Sequence, residues 1–234
     1  MAAETVTQPA APAVEPARTA GLRRWGAALG LFLAPWGFVV TNTCYAWAIR
    51  DGGSDATGAE ALALFGAHPL AVRIGVLAGS IACLLMVPAV LGLFRLAPRS
   101  RLVLVGGSLM IAGYVSYLPI LDASRIVVTM AERGGPLADY AAVIDASQSG
   151  AWGGWLFGLF VLGNLVGTLL VAIGLFLSRA AGAWPPVAIA CWPVLHVIGL
   201  VWFGNEIPQV IGAILQAVGL AACAVALLRT GDGR

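Results

Sequence analysis

"AWGGWLFGLFVLGNLVGTLLVAIGLFLS", residues 151–178, holds no charged side chain from end to end. Crossing ~30 Å of hydrocarbon takes ~20 helical residues at a rise of ~1.5 Å each. A membrane β-strand would alternate polar and apolar residues, and this stretch does not. Inside lipid a helix satisfies its own backbone hydrogen bonds. The stretch is therefore predicted to be a transmembrane helix.

Five further uncharged runs of similar length flank it: Trp25–Ile49, Ile74–Phe94, Leu102–Leu121, Ala180–Asn205 and Ile207–Leu228. Only Arg179 separates Ser178 from Ala180, yet the turn is legible in "SRAAGAWPP", where Gly182 and the Pro185-Pro186 pair oppose continuation of a helix. "GNEIP" parts the last two runs, with Pro208 suited to a first helical turn. Pro35-Trp36-Gly37 and Pro88 are candidate breaks in the first two. The expected fold is all-α, a polytopic transmembrane bundle of six helices. It occupies residues 23–229, between a disordered cytoplasmic tail over residues 1–22 and a short cytoplasmic tail over 230–234.

Composition agrees. The chain is 60% hydrophobic and 10% charged, with a mean hydropathy of +0.91. Soluble domains run nearer ~25% charged. A net charge of +2 with no lysine excludes a nucleic-acid footprint. Cys44, Cys83, Cys191 and Cys223 each lie in an apolar run and read as small buried hydrophobes. The Pro/Ala-rich opening, "MAAETVTQPAAPAVEPARTAGL", lacks the apolar surface to order itself. It also lacks a signal-peptide core with a cleavage site.

Six spans put both termini on one side. That side collects nine of the 13 arginines: Arg18, Arg23, Arg24, Arg95, Arg99, Arg101, Arg179, Arg229 and Arg234. The other side has Arg50, Arg73, Arg125 and Arg133, with most of the acids. Basic flanks are retained in the cytoplasm, which predicts cytoplasmic termini in the plasma membrane. Trp25, Trp47, Trp152, Trp155, Trp184 and Trp202 fall near span ends, where amphipathic rings are favoured.

The two long outer connections each predict a short helix. "TGAE" at 57–60 is a capping box, and the apolar run behind it ends at "AHP". After Pro136, Leu137, Tyr140, Ala141 and Ile144 form one helical stripe. Together they form a candidate lid.

Polar groups inside a membrane are costly and mark candidate sites. Depth counting places Asn42 and Tyr45, then Tyr114 and Tyr117, in outer half-spans. Asn164, and His196 in "CWPVLHVIGLVWFGNE" (191–206), fall near the midplane. Gln209 and Gln216 follow in the last span. The inner half has almost nothing comparable, which predicts a polar pocket open to the outside. Its candidate ligand-binding residues are His196, Asn164, Asn42, Tyr114, Tyr117, Trp192 and Gln216. The bland reading of His196 is a neutral imidazole bonded to Asn164 or to a backbone carbonyl, a bond worth ~0.6–2 kcal/mol in membrane bundles. Glu206 reads first as a helix cap.

No catalytic motif is present: G-x-S-x-G, H-E-x-x-H and the P-loop are all missing. Haem would need a second axial ligand, but His68 is far from the midplane and neither Met86 nor Met110 has a telling spacing. Zinc would need a ligand cluster. No cofactor and no metal are expected. "GAALG" (26–30), "GVLAG" (75–79) and "GNLVG" (163–167) allow close helix contact, within the chain rather than across a dimer, although an oligomer stays open.

"GAEALALFGAHPLAVRIGVLAGS" (58–80), "VPAVLGLFRLAPRSRLVLVGG" (87–107) and "GLFVLGNLVGTLLVAIGLFLSRAAGAWPP" (158–186) follow one another along residues 20–229. This layout resembles a large family of bacterial six-helix integral membrane proteins known only as a domain of unknown function. The likeness implies the six-helix architecture and carries no activity, cofactor or site residue. His196 departs from that pattern.

Three functions then compete: a module that binds a small solute or lipid, without catalysis; a secondary transporter, or a subunit of one, working around His196; and an intramembrane enzyme using His196 as base. The first is preferred. Its expected partners are membrane lipids and a small solute.

Overall fold

The computed structural model describes residues 17–230. Among these the chain is all-α. The helices are α1 (Ala17–Ile49), α2 (Gly58–Ala67), α3 (Pro69–Leu96), α4 (Arg101–Arg133), α5 (Leu137–Ser149), α6 (Ala151–Val161), α7 (Thr168–Ser178), α8 (Trp184–Ile198) and α9 (Ile207–Arg229). A π-helical turn, Leu162–Gly167, joins α6 to α7 into one span, and a second, Gly199–Phe203, prolongs α8. Six spans are long and apolar enough to cross a bilayer. Their outer surfaces carry Leu29, Phe32, Leu77, Ile81, Leu84, Leu104, Ile173 and Leu177, all exposed. Side chains so placed suit lipid, and the chain is a multi-pass membrane protein.

Several boundaries differ from expectation. The first helix starts at Ala17, inside the stretch read as tail. Ala and Arg are good helix formers, and extending an anchored helix avoids a new nucleation cost. The rest of both expected tails, residues 1–16 and 231–234, lies outside the described residues. Pro69 opens α3, ahead of Ile74, as its missing N–H permits. Helix α4 continues from Leu121 to Arg133, because the charged residues beyond the apolar run still favour helix. Neither Pro35 nor Pro88 breaks its span; both lie inside continuous helices. The irregularities fall instead at the two π turns.

The short helices follow their local chemistry. Thr57 Oγ1 accepts from the Glu60 N–H (3.3 Å) and Glu60 Oε2 accepts from the Thr57 N–H (3.2 Å), closing the capping box. The Gly58 N–H donates to Asp145 Oδ1 at 2.6 Å, which ties α2 to α5. Ala48, Leu62, Leu64, Phe65, Val127, Val128 and Ile144 form a separate apolar cluster beneath them. It gives the extended end of α4 something to cover. On α5 only Ile144 is fully buried; Tyr140 and Ala141 pack at its margin, while Leu137 is exposed. Arg73 reaches Glu132 at 2.5 Å, linking α3 to the far end of α4.

The main core lies toward the end of the bundle that holds the first residues of α1 and the last of α9. Leu31, Met86, Val90, Leu93, Val103, Val171, Leu175, Ile189 and Leu220 are fully buried there. Glycines set the spacing. A Cβ on Gly30 would stand 2.8 Å from the backbone of Leu85 and Ala89, and one on Gly106 would stand 2.7 Å from the Gly167 carbonyl. Such contacts let helix backbones meet directly. Gly30, Gly75, Gly79, Gly163 and Gly167 of the three small-residue motifs contact neighbouring helices of the same chain, whereas Gly26 has nothing within 4 Å.

Candidate functional site

At the other end, where α2 and α5 lie, the six spans part around a cavity of about 440 Å³. Chain direction explains its position. Phe38 to Ala48, Ala71 to Val76, Tyr114 to Ser124, Phe157 to Asn164, Trp192 to Leu200 and Glu206 to Gln216 contribute its lining. These are the halves of the spans toward α2 and α5, and bulky rings there replace the small residues of the core. Phe38 stacks on Tyr114 with centroids 4.6 Å apart, and Tyr117 stacks on Phe160 at 4.1 Å. Of the two short helices, only α2 reaches the cavity, through Phe65.

All seven sequence-predicted residues line this one cavity, but they are not equivalent. Asn164 is the hub at its base. The Tyr114 hydroxyl donates to Asn164 Oδ1 at 2.8 Å, and Trp192 Nε1–H donates to the same oxygen at 3.1 Å. Three spans thus meet on one carbonyl. Asn164 sits within the π turn between Gly163 and Gly167. A Cβ on Gly163 would strike the Leu109 carbonyl, and one on Gly167 would stand 2.9 Å from the Gly106 carbonyl. This close seam with α4 carries the amide to Tyr114.

His196 does not bond Asn164, contrary to the bland expectation, because Tyr114 and Trp192 already occupy that carbonyl. Its ring lies 5.1 Å from Trp192, and the Gln209 side chain is its hydrogen-bonding neighbour. Gly199, one turn on, lets the start of α9 approach: a Cβ there would stand 3.4 Å from Pro208. His196 Nδ1 is buried without a partner. Asn42 is partly spent, since its Nδ2 donates to the Phe38 carbonyl at 2.8 Å. Gln216 is 2% exposed, and its Nε2 has no partner. Thr168 Oγ1 is likewise buried and unpartnered, facing the Tyr114 hydroxyl beside Gln216.

Three cavity residues were missed or misread, and so was one neighbour of the Tyr114 hydroxyl. That neighbour, Thr168, follows Asn164 by four residues, so helical spacing was an available signal. Gln209 was visible as a polar residue, but nothing in the sequence paired it with His196. Asp55 lies in the loop before α2 and lines the cavity, with its Oδ1 accepting from the Tyr45 hydroxyl at 2.9 Å. No sequence signal joined those two. Glu206 was read as a cap. It makes no side-chain cap bond; instead Asn205 Oδ1 accepts from the Ile207 N–H at 3.0 Å. Glu206 turns into the cavity, where burial first, and the charge of Asp55 second, push its carboxyl up to about 7.

The walls are therefore more apolar and aromatic than the polar pocket expected. Polar groups are concentrated at the base and at the rim. The contacts of His196, an indole and an amide, form no acid–base or nucleophile pair. No family model, no curated protein and no solved structure matches the chain, so the reading of the cavity rests on its own residues.

Proposed function

We propose that this integral membrane protein binds a small amphipathic solute or lipid, without catalysis, in the cavity between its six spans. In this reading it sits in the plasma membrane with both termini in the cytoplasm and the cavity mouth on the outer face. The arginine bias supports that orientation. The observation that carries the binding reading is the combination of unmet polar groups and aromatic walls. Gln216 Nε2 and His196 Nδ1 are buried and unpartnered on two residues that line one aromatic cavity of about 440 Å³. An unmet buried polar group costs ~1–3 kcal/mol, and a ligand that meets it recovers that cost. Ligand sites are mostly apolar cavities of ~300–1,000 Å³ with a few placed polar groups.

The test is thermal stability of the purified protein against a panel of neutral and charged amphiphiles and lipids. A binder raises the melting temperature of the wild type and loses that effect in His196→Ala and Gln216→Leu. A panel with no effect on the wild type overturns the reading. A reporter fused after Arg234 is expected to be active only in the cytoplasm.

A secondary transporter is the second reading. It is favoured by the two interrupted spans beside the cavity, since transporters bind substrate at unwound midplane segments. Uptake by proteoliposomes separates the two readings.

A further inference from the structure

We propose that the cavity selects an organic cation: an apolar body with its positive charge held at the rim by Asp55 and Glu206, and an oxygen acceptor at its far end bonded by Gln216. This rests on the cavity-binding reading above and names the ligand class.

Charge supplies the first argument. Asp55 and Glu206 are acidic, and no arginine lines the cavity. Three of the four arginines near this end of the bundle, all but Arg133, are engaged elsewhere. Arg50 pairs with Asp51 and lies 4.1 Å over the Trp47 ring, Arg73 pairs with Glu132, and Arg125 pairs with Asp122 at 2.8 Å. Asp55 is fixed in place by Tyr45. The high proton affinity of Glu206 reports a half-buried carboxylate facing a second negative charge. A cation between the two relieves that repulsion.

The walls supply the second. Tyr45, Tyr117, Phe157 and Phe160 line the same cavity. Aromatic faces attract cations, most strongly where water is excluded, and the same rings accept an apolar body.

The base supplies an independent third. Gln216 is 2% exposed and lines the cavity, and its Nε2 is buried without a hydrogen-bond partner, beside the Tyr114 hydroxyl. An amide N–H in that position calls for an oxygen acceptor. Glu206 and Gln216 are separated by roughly 15 Å of rise along α9. The occupant is therefore elongated, with charge and acceptor at opposite ends.

Three probes test this by calorimetry on the full chain in detergent. The first joins an acetylphenyl ring through a four-carbon chain to trimethylammonium. The second replaces trimethylammonium with uncharged tert-butyl. The third replaces acetyl with ethyl. The wild type is expected to bind the first about tenfold more tightly than the second and several-fold more tightly than the third. Asp55→Asn with Glu206→Gln is expected to remove most of the preference for the first over the second, leaving only what the aromatic faces supply.

Equal wild-type affinity for the first and second overturns cation selection and leaves the cavity-binding reading standing. Equal affinity for the first and third overturns the role of Gln216. Binding of none of the three overturns the cation inference outright, and the amphiphile panel above then judges the cavity on its own. The wild-type comparisons hold whether or not the double variant folds.

Discussion

The same six spans are sealed at one end and parted at the other. Toward the start of α1 the helices touch through glycine. Gly30 meets the Leu85–Ala89 backbone, Gly92 meets Ala27 and Leu227, and Gly174 meets Ser100 and Val103. Large side chains such as Leu31, Met86, Leu93 and Leu175 fill what space remains, completely buried. Toward α2 and α5 the inward positions belong instead to Phe38, Tyr114, Tyr117, Phe160 and Trp192. Stacked rings and a shared amide hold the helices apart. The difference teaches that cavity shape here follows side-chain size at helix seams. Membrane helices gain nothing from leaving water, so packing decides how close they come.

The sharpest way to break this comparison is to put a methyl group into the sealed seam. Gly30→Ala drives a Cβ to within 2.8 Å of the Leu85 carbonyl and the Ala89 backbone nitrogen. Both are backbone, and neither can swing aside. The expected loss is about 3 kcal/mol, read as a lower melting temperature in detergent. Val76→Leu, which grows into the cavity, is expected to change stability by under ~1 kcal/mol. Equal losses would mean that the two halves are packed alike.

Asn164 joins the two halves. Removing its carbonyl strands the Tyr114 hydroxyl and the Trp192 N–H, both buried. Asn164→Ala is expected to cost about 2 kcal/mol. Tyr114→Phe removes one bond and strands no donor, so about 0.6–1.7 kcal/mol is expected. If Tyr114→Phe costs as much as Asn164→Ala, the amide is no hub.

How far this division was legible depends on what each half is made of. Hydropathy counting finds the spans because a bilayer imposes one length on all of them. Polar residues inside apolar runs, such as Asn164, His196 and Gln216, stand out for the same reason. Pairing is not legible in that way. His196 meets Gln209 rather than Asn164 because of how α8 and α9 lean together at Gly199, and no spacing rule contains that angle. The π turns at 162–167 and 199–203 have no proline to announce them, whereas Pro35 and Pro88 announce breaks that do not occur. Helix α4 runs past the bilayer-length stretch because Val127 and Val128 on its far end pack with Leu62, Phe65 and Ile144, a tertiary contact that hydropathy does not count.

Gln216 sharpens the contrast from the other direction. In the sealed half the large buried side chains are apolar and closely packed, so substitution there is expected to lose stability. Gln216→Leu removes an unpartnered buried donor and keeps the apolar bulk. The ligand-free protein is expected to gain about 1 kcal/mol, seen as a higher melting temperature, while affinity for the acetyl-bearing cation falls several-fold, to that of its ethyl analogue. Such opposite effects on stability and binding mark a group kept for a ligand. A loss of stability instead would place Gln216 with the packed core.

The smallest expected effect is a pH dependence that belongs to the rim alone. Glu206 has its carboxyl pushed up to about 7 by burial and by Asp55, against ~4.3 in an unfolded chain. The folded state therefore holds this proton more tightly than the unfolded state does. Its stabilising contribution is complete below ~4.3, is lost as pH rises through about 7, and is constant above that. Cation binding runs the other way, strengthening over the same upper range as the carboxylate becomes charged. Tyr45 donates to Asp55 beside it, and the Glu206 carboxyl supplies the change. Glu206→Gln is expected to flatten both profiles between about pH 6 and about pH 8. Gly30→Ala, far down the sealed seam, is expected to lower the melting temperature by the same amount at every pH in that range. If its profile also bends near neutral pH, the titration reports the bundle as a whole and not the rim.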